Sequence, residues 1–280
     1  MNLLNDVNAV ANYSNPSIVS PVRRHSLAEF LPPLNRRAAK STSLMAKPLG
    51  QFERGGETYT LPRYVFLGPQ GGAATLKIGI LAGIHGDEPE GCHALAQFVD
   101  LLESRPALAQ GYCLYLYPVC NPTGFEDNTR HSRNGKDLNR EFWRNSSEPE
   151  VRLLEAELES QEFDGLIALH SDDTSHGLYG LVRGATLTQH LLRPALHAAA
   201  ELLPLNQHER IDGFHAQEGL IRDCYEGVLS APPSAKPKPF EIILETPGRT
   251  PGFVQQCALI VALRTILTEY RKFIAYAANL

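Results

Sequence analysis

The chain has 280 residues, of which 43% are hydrophobic and 20% charged, with a formal net charge of −5. This is the composition of a globular chain, too apolar for a disordered one, and at about 150 residues per domain it allows one large domain or two small ones. The negative balance offers no basic field for nucleic acid or an anionic lipid surface, so neither is expected as a partner.

Residues 1–45 show no clear period and carry Pro16, Pro21, Pro32 and Pro33, with basic pairs at Arg23–Arg24 and Arg36–Arg37. They read as an N-terminal arm or extension whose charges form a solvated face, leaving 46–280 as the main domain. ETYTLPRYVFLG (57–68) reads as strand interrupted at Pro62, which implies an edge position. LKIGILAGI (76–84) is continuously apolar, as in a strand buried on both faces. DEPEGCHALAQFVDLLES (87–104) has helical spacing, with acids in the first turn where the helix dipole favours them. YCLYLYPV (112–119) predicts a strand, EPEVRLLEAELES (148–160) a helix and FDGLIAL (163–169) another buried strand. A helix over 185–203, kinked at Pro194, a strand FEIILE (240–245) and a long helix over 252–277 complete the pattern. No repeat is present, so a solenoid is excluded. Buried strands alternating with helices predict one α/β domain: a mostly parallel, mixed, twisted sheet with helices on both faces.

The five cysteines, Cys92, Cys113, Cys120, Cys224 and Cys257, are odd in number and form no CxxC pair. Reduced thiols fit this better than a zinc ribbon or a disulfide scaffold. Cys92 and Cys120 fall near the expected cleft but lack the helper pattern of a nucleophile, so they read as inert core thiols. No run reaches the about 20 apolar residues of a membrane span, and MNLLNDVNAVANYSN has acidic and amide residues where a secretory leader has basic ones. The expected location is cytoplasmic.

In open α/β sheets the functional crevice lies at the carboxyl ends of the strands. Three apolar runs here end on ionisable residues: LKIGILAGI on His85, GLIAL on His170 and EIIL on Glu245. Desolvating such groups is costly without partners. Within GIHGDEPEG, His85 and Glu88 are three residues apart and share one face of a helical turn, while Gly83 and Gly86 permit the tight strand-to-helix turn. An imidazole and a carboxylate are zinc ligands, and His170 as third ligand would leave the fourth position open, as in catalytic sites. RHSRNGKDLNR (130–140) is a polar loop that places a carboxylate, an amide and a guanidinium around Leu138. Asn139 and Arg140 could grip a substrate carboxylate, and Asp137 could accept the second N–H of a zinc-bound histidine.

GIHGDEPEG, NPTGF followed by Arg130 and DLNR, the LHS around His170 and the ILET around Glu245 together resemble the zinc carboxypeptidase family and its succinylglutamate desuccinylase/aspartoacylase branch, from about residue 48 to 277. The resemblance implies one zinc ion held by His85, Glu88 and His170. It further implies that Arg130 polarises the scissile carbonyl, Asn139 and Arg140 hold a terminal carboxylate, and Glu245 is the general base. A tyrosine over the substrate is also implied; Tyr225, in RDCYEG, is the nearest candidate, and a purely structural tyrosine is the alternative. Asp172 and Asp173 could form a second metal site, although acidic residues also commonly open loops. His93, His176, His190, His197, His208 and His215 read as surface or supporting residues, and the proline-rich LSAPPSAKPKPF (229–240) as a rigid loop beside the site.

The desuccinylase branch implies a further C-terminal domain, for which the 35 residues after Glu245 leave no room. Arg130 also stands nine positions before Asn139 with Gly135 between, as in carboxypeptidase-type amidases. A metallocarboxypeptidase or peptide amidase acting on a peptide substrate is therefore expected. An N-acyl-amino-acid deacylase is the alternative, and a catalytically silent zinc- or peptide-binding domain a third reading. Side-chain specificity and oligomeric state are not legible in the sequence.

Overall fold

The computed structural model of the chain describes residues 25–70, 75–225 and 228–277. The basic pair Arg23–Arg24 lies outside them. A ten-stranded sheet organises the domain, in the order β1-β4-β6-β5-β7-β12-β8-β11-β10-β9. Its members are β1 (Leu44–Ala46), β4 (Tyr64–Leu67), β5 (Leu76–Ala82), β6 (Tyr112–Tyr117), β7 (Gly165–Asp172), β8 (Tyr179–Val182), β9 (Arg210–Ile211), β10 (Phe214–Gln217), β11 (Leu220–Ile221) and β12 (Phe240–Pro247). The central run β6-β5-β7-β12 is parallel. The wings are antiparallel, apart from the parallel β8–β11 pair. The expected parallel character thus holds at the centre of a mixed sheet.

Side-chain alternation assigns the two faces. Ile78, Ile80 and Ala82 of β5, Ile167 and Leu169 of β7, and Ile242 and Leu244 of β12 join one core. Against it pack α1 (Leu27–Ala38), α2 (Pro89–Ser104) and the long α6 (Gly252–Ala277), through residues such as Leu34, Phe98 and Leu263. On the opposite face Leu81 and Leu166 meet Leu154 and Leu158 of α4 (Pro149–Gln161) together with Leu138 and Phe142. Both faces are covered, so the central strands read as continuous apolar runs.

Several sequence expectations change in detail. ETYTLPRYVFLG is two strands rather than one: β3 (Glu57–Leu61) pairs with β2 (Gly50–Arg54) in a separate hairpin, while β4 lies inside the main sheet between β1 and β6. Pro62 marks this switch of sheet instead of an edge. The described part of the expected arm forms α1, whose Leu27, Phe30, Leu34 and Ala38 pack on the core despite Pro32 and Pro33 within the helix. Two adjacent prolines normally break a helix, and they hid this spacing in the sequence. Residues 185–203 are not one kinked helix. Ala185–Leu187 passes through a π-helical turn, Thr188–Leu192, into α5 (Arg193–Ala199), so the irregularity precedes Pro194, which sits in the first turn where no donor is needed. The short α3 (Pro122–Asp127), β8 and the two- to four-residue strands β9–β11 carried no legible period. No described helix is long and apolar enough to cross a membrane.

Phe98 is fully buried between α2 and the sheet. Phe98→Ala should lower unfolding free energy by about 3–5 kcal/mol through the cavity it leaves, read as a shift in the urea midpoint at unchanged slope.

Candidate active site and metal centre

The register of the central strands delivers the site. Ala82 of β5 pairs with Leu169 of β7, and His170 pairs directly with Glu245 of β12. Glu245 in turn faces Tyr179 of β8. His170, Glu245 and Tyr179 therefore share one face at one level of the sheet. Along that face Ala168 gives way to His170 and Ile243 to Glu245, so apolar core becomes ionisable cleft within a two-residue step.

Beyond β5 the chain turns through Gly83, which has φ +63° and packs so tightly that a Cβ would lie 2.6 Å from Cys92 Sγ. Gly86 leaves no room either: a Cβ there would meet the Gly124 backbone at 1.9 Å. This turn brings His85 back over the sheet and puts Glu88 at the N-cap of α2. His85, Glu88 and His170 are 4%, 7% and 3% exposed, which is rare for ionisable groups unless they compensate one another. Glu88 Oε1 meets His85 Nδ1 at 2.7 Å and accepts from Arg130 at 3.3 Å. Its Oε2 meets His170 Nδ1 at 2.9 Å and accepts from the Ser171 N–H at 3.1 Å. Burial alone would raise the Glu88 carboxyl, but the two histidines outweigh it and hold it well below the usual range.

The far nitrogen of His85, Nε2, lies 3.3 Å from Asp137 Oδ1. Burial would lower the His85 pKa, yet its bonds to Asp137 and Glu88 raise it. Asp137 is itself fixed by accepting the Asn139 backbone N–H at 3.0 Å and Arg130 Nε at 3.3 Å. Leu138, at the start of a 3₁₀ turn (Leu138–Arg140), is fully buried in the second core, so Asn139 and Arg140 are turned toward the cleft and Asp137 toward His85.

One ligand atom from each of His85, Glu88 and His170 lies within 4.8 Å of the other two, the only such group among the described residues. Two Nδ1 atoms and one carboxylate, with the third ring nitrogen held by Asp137, fit a divalent metal ion with an open coordination position. Asp172 and Asp173 do not build a second site of this kind: Asp172 accepts from the Thr174 N–H, the Thr174 hydroxyl and the Tyr179 hydroxyl.

A cleft of ≈ 520 Å³ opens above the group, lined by Arg130, Asn139, Arg140, Tyr225 and Glu245 among others. Every site residue expected from the sequence except Asp137 lines it, and Asp137 holds His85 from the side. Arg140 lies 5.2 Å over the Tyr225 ring and donates to the Asn139 carbonyl. Tyr225 donates its hydroxyl to Asp212 at 2.6 Å, and the Asn139 side-chain oxygen accepts the Leu229 N–H at 2.8 Å. Sequence reasoning missed Tyr179 and Asp212. The strand pairing that places Tyr179 opposite Glu245 is its only signal, and Asp212 has none. Cys92 and Cys120 are fully buried and burial raises both thiols, Cys120 to about 12, which keeps them out of nucleophilic chemistry.

Residues 74–214, just over half of the chain, match the succinylglutamate desuccinylase/aspartoacylase catalytic domain family. The chain belongs to this family. Carboxypeptidase D of Mus musculus is 29% identical over 182 residues, covering 52% of this chain and 13% of its own length. The chain thus spans about an eighth of that relative. A Shewanella amazonensis structure described as a candidate metallopeptidase superposes with a TM-score of 0.72 at 22% identity, over 86% of this chain and 91% of its own. A metallo-carboxypeptidase from Burkholderia cenocepacia gives 0.66 at 15% identity, over 88% of this chain and 68% of its own. One from Pseudomonas aeruginosa, in complex with (2-guanidinoethylmercapto)succinic acid, gives 0.62 at 18% identity, over 87% and 69%. At these identities the likeness is one of fold, and the fold is that of the zinc carboxypeptidases, as the sequence resemblance implied.

Burial pushes the Glu245 carboxyl up to about 8, with Glu88 and Asp172 adding and His170 opposing. An unfolded glutamate titrates near about 4.3, so the metal-free folded chain holds an extra proton between these values and loses stability as pH rises through them. His85, also raised, loses its contribution in the same direction above about pH 6.5. Glu88 and Asp137, held low, contribute above the usual carboxylate range and lose it only on acidification. Glu245→Gln should therefore flatten the fall in metal-free stability from pH 5 to 8, by comparison of urea midpoints with wild type. An unchanged slope would place the extra proton elsewhere.

Proposed function

We propose that the protein is a zinc-dependent hydrolase that cleaves an amide bond next to a free carboxylate, as a metallocarboxypeptidase or peptide amidase. The observation that carries this reading is the joint presence, in one cleft, of the His85–Glu88–His170 group, Glu245 beside His170, and the Asn139–Arg140 pair. His85, Glu88 and His170 would hold the ion; two imidazoles and a carboxylate with a fourth place open is a set that zinc takes in hydrolytic sites. When bound, zinc supplies Lewis acidity that acidifies water toward neutral pH and polarises a carbonyl.

The protein residues do the rest. Asp137 orients the His85 ring through Nε2, which leaves Nδ1 for the ion. Glu245, level with His170 in the β7–β12 register and lining the cleft, accepts a proton from the attacking water and returns it to the departing amine. Arg130, part-exposed and tied to Glu88 and Asp137, stabilises the oxyanion that develops on the carbonyl. Arg140 and Asn139 clamp the substrate carboxylate. Tyr225, held by Arg140 and Asp212, covers the bound end.

The family match favours a second reading, N-acyl-amino-acid deacylation with the same residues in the same roles. Steady-state kinetics on free-acid peptides, C-terminally amidated peptides and N-acyl amino acids separate the two. Free-acid peptides should turn over best, and equal rates on blocked and free ends would eliminate the clamp at Arg140. Arg140→Gln should raise KM for free-acid peptides about 10- to 100-fold, the loss of one charged hydrogen-bond pair. Glu245→Gln should cut kcat about 10²- to 10⁴-fold while zinc content, measured by metal analysis, stays near one ion per chain. Full activity in that variant would remove Glu245 from the mechanism.

A further inference from the structure

A cavity of ≈ 450 Å³ lies outside the catalytic cleft, with α1 and the residues just before it on one side and α2 and α3 on the other. Four rings line it: His25 ahead of α1, Phe30 on α1, His93 on α2 and Phe125 on α3. They follow one another in a closed circuit. The His25 centroid lies 5.0 Å from Phe125, Phe125 5.4 Å from Phe30, Phe30 5.3 Å from His93, and His93 6.4 Å from His25. Adjacent rings are inclined by 31–83°, so the circuit is a set of walls and not a stack. Phe125 is 1% exposed and Phe30 packs on the main core, which fixes two of the walls.

Burial lowers the pKa of both imidazoles, and His25 lowers that of His93 further, against a weaker opposing hydrogen bond between His25 and Asn128 at the C-cap of α3. At neutral pH both rings are therefore uncharged and present π-faces in place of positive charge. Among the described residues, the charged groups lining the cavity are Glu29 and Arg37 from α1 and Asp100 from α2. Arg37 is paired with Asp100 at 2.6 Å, which leaves Glu29 as a net negative charge in the lining. Aromatic faces beside a carboxylate attract a cation, and one seated within the circuit would lie inside the about 6 Å range of that attraction. Ring faces do not replace the hydrogen bonds that a primary ammonium surrenders on leaving water, so they favour an alkylated one. We propose that this cavity binds a trimethylammonium-type cation, its methyl groups between the four rings and its charge toward Glu29. The cavity shares no lining residue with the catalytic cleft, so the inference stands independently of the hydrolase reading.

The test uses the full chain loaded with zinc and tetramethylammonium chloride as the probe. Binding is followed by the ring-current shift and saturation transfer of the probe's methyl protons, with tert-butanol as a neutral control of similar size. Tetramethylammonium should bind about tenfold more tightly than tert-butanol at neutral pH. Phe30→Leu should weaken its binding by about two- to thirtyfold, the range of a cation–π contact, and Glu29→Gln should weaken it less; urea midpoints establish that both variants fold. Protonating either imidazole puts a like charge in the cage, so binding should fall as pH drops from about 7.5 to about 5.5. His25→Phe with His93→Phe keeps four walls without a titrating ring, and should retain binding and flatten that pH profile. Absent binding, or equal binding of the cation and tert-butanol, would overturn the inference, and that comparison needs no variant. Wild-type affinity in a folded Phe30→Leu variant would overturn it as well, by placing the cation elsewhere.

Discussion

Pairing of His170 with Glu245, one step beyond the pairing of Ala82 with Leu169, is the constraint on which the site depends. A slip of one residue in either pair would send an imidazole or a carboxylate to the helix-covered face. That face is filled by Ile80, Leu169, Leu244 and their partners on α2 and α6. An ionised group there would be stranded without hydrogen bonds, at a cost of several kcal/mol. The apolar alternation of three strands thus fixes the register, and the register fixes which ionisable groups meet. Glu88 then satisfies both histidines at once, which makes burial of all three tolerable.

The parts of this arrangement legible in the sequence were those with a long period or a costly residue type. The strands 76–84, 163–169 and 240–245 and the helix over 252–277 stood out as uninterrupted apolar runs, and their positions hold to within a few residues. His85, His170 and Glu245 were conspicuous because each follows such a run directly. The elements that escaped were short or carried contrary local signals. Pro32 and Pro33 concealed α1, and Pro62 suggested an edge where the chain in fact changes sheets. Strands β9 and β11, two residues each, have no period to read. Tyr179 and Asp212 came into the cleft on these unread segments, so their roles as partners of Asp172 and Tyr225 depend on tertiary pairing alone.

The DLNR turn shows how packing can aim polar groups. Leu138 is pulled into the core between β5 and α4, and its neighbours are forced outward as a consequence. Asp137 then spends both oxygens on His85, Arg130 and the Asn139 backbone, so the turn is pinned to the histidine at one end. At the other end Asn139 holds the 229–231 segment, the proline-rich loop that the sequence placed beside the site. One buried leucine therefore couples the ligand group, the arginine pair and that loop.

That coupling carries a thermodynamic tension. Arg130 engages Glu88 and Asp137, the same carboxylates that flank the two histidines. The guanidinium places positive charge beside both of them. A divalent ion held by His85, Glu88 and His170 would compete with Arg130 for Glu88. Arg130 is part-exposed at the cleft wall while it holds these carboxylates. The acidic border of the cleft, with Asp87, Glu90, Asp172, Asp173 and Asp212, raises the local field for a cation. Within one cleft these carboxylates stand opposite Arg130 and Arg140, so charge of both signs is held apart on a single wall by the same register and the same buried leucine.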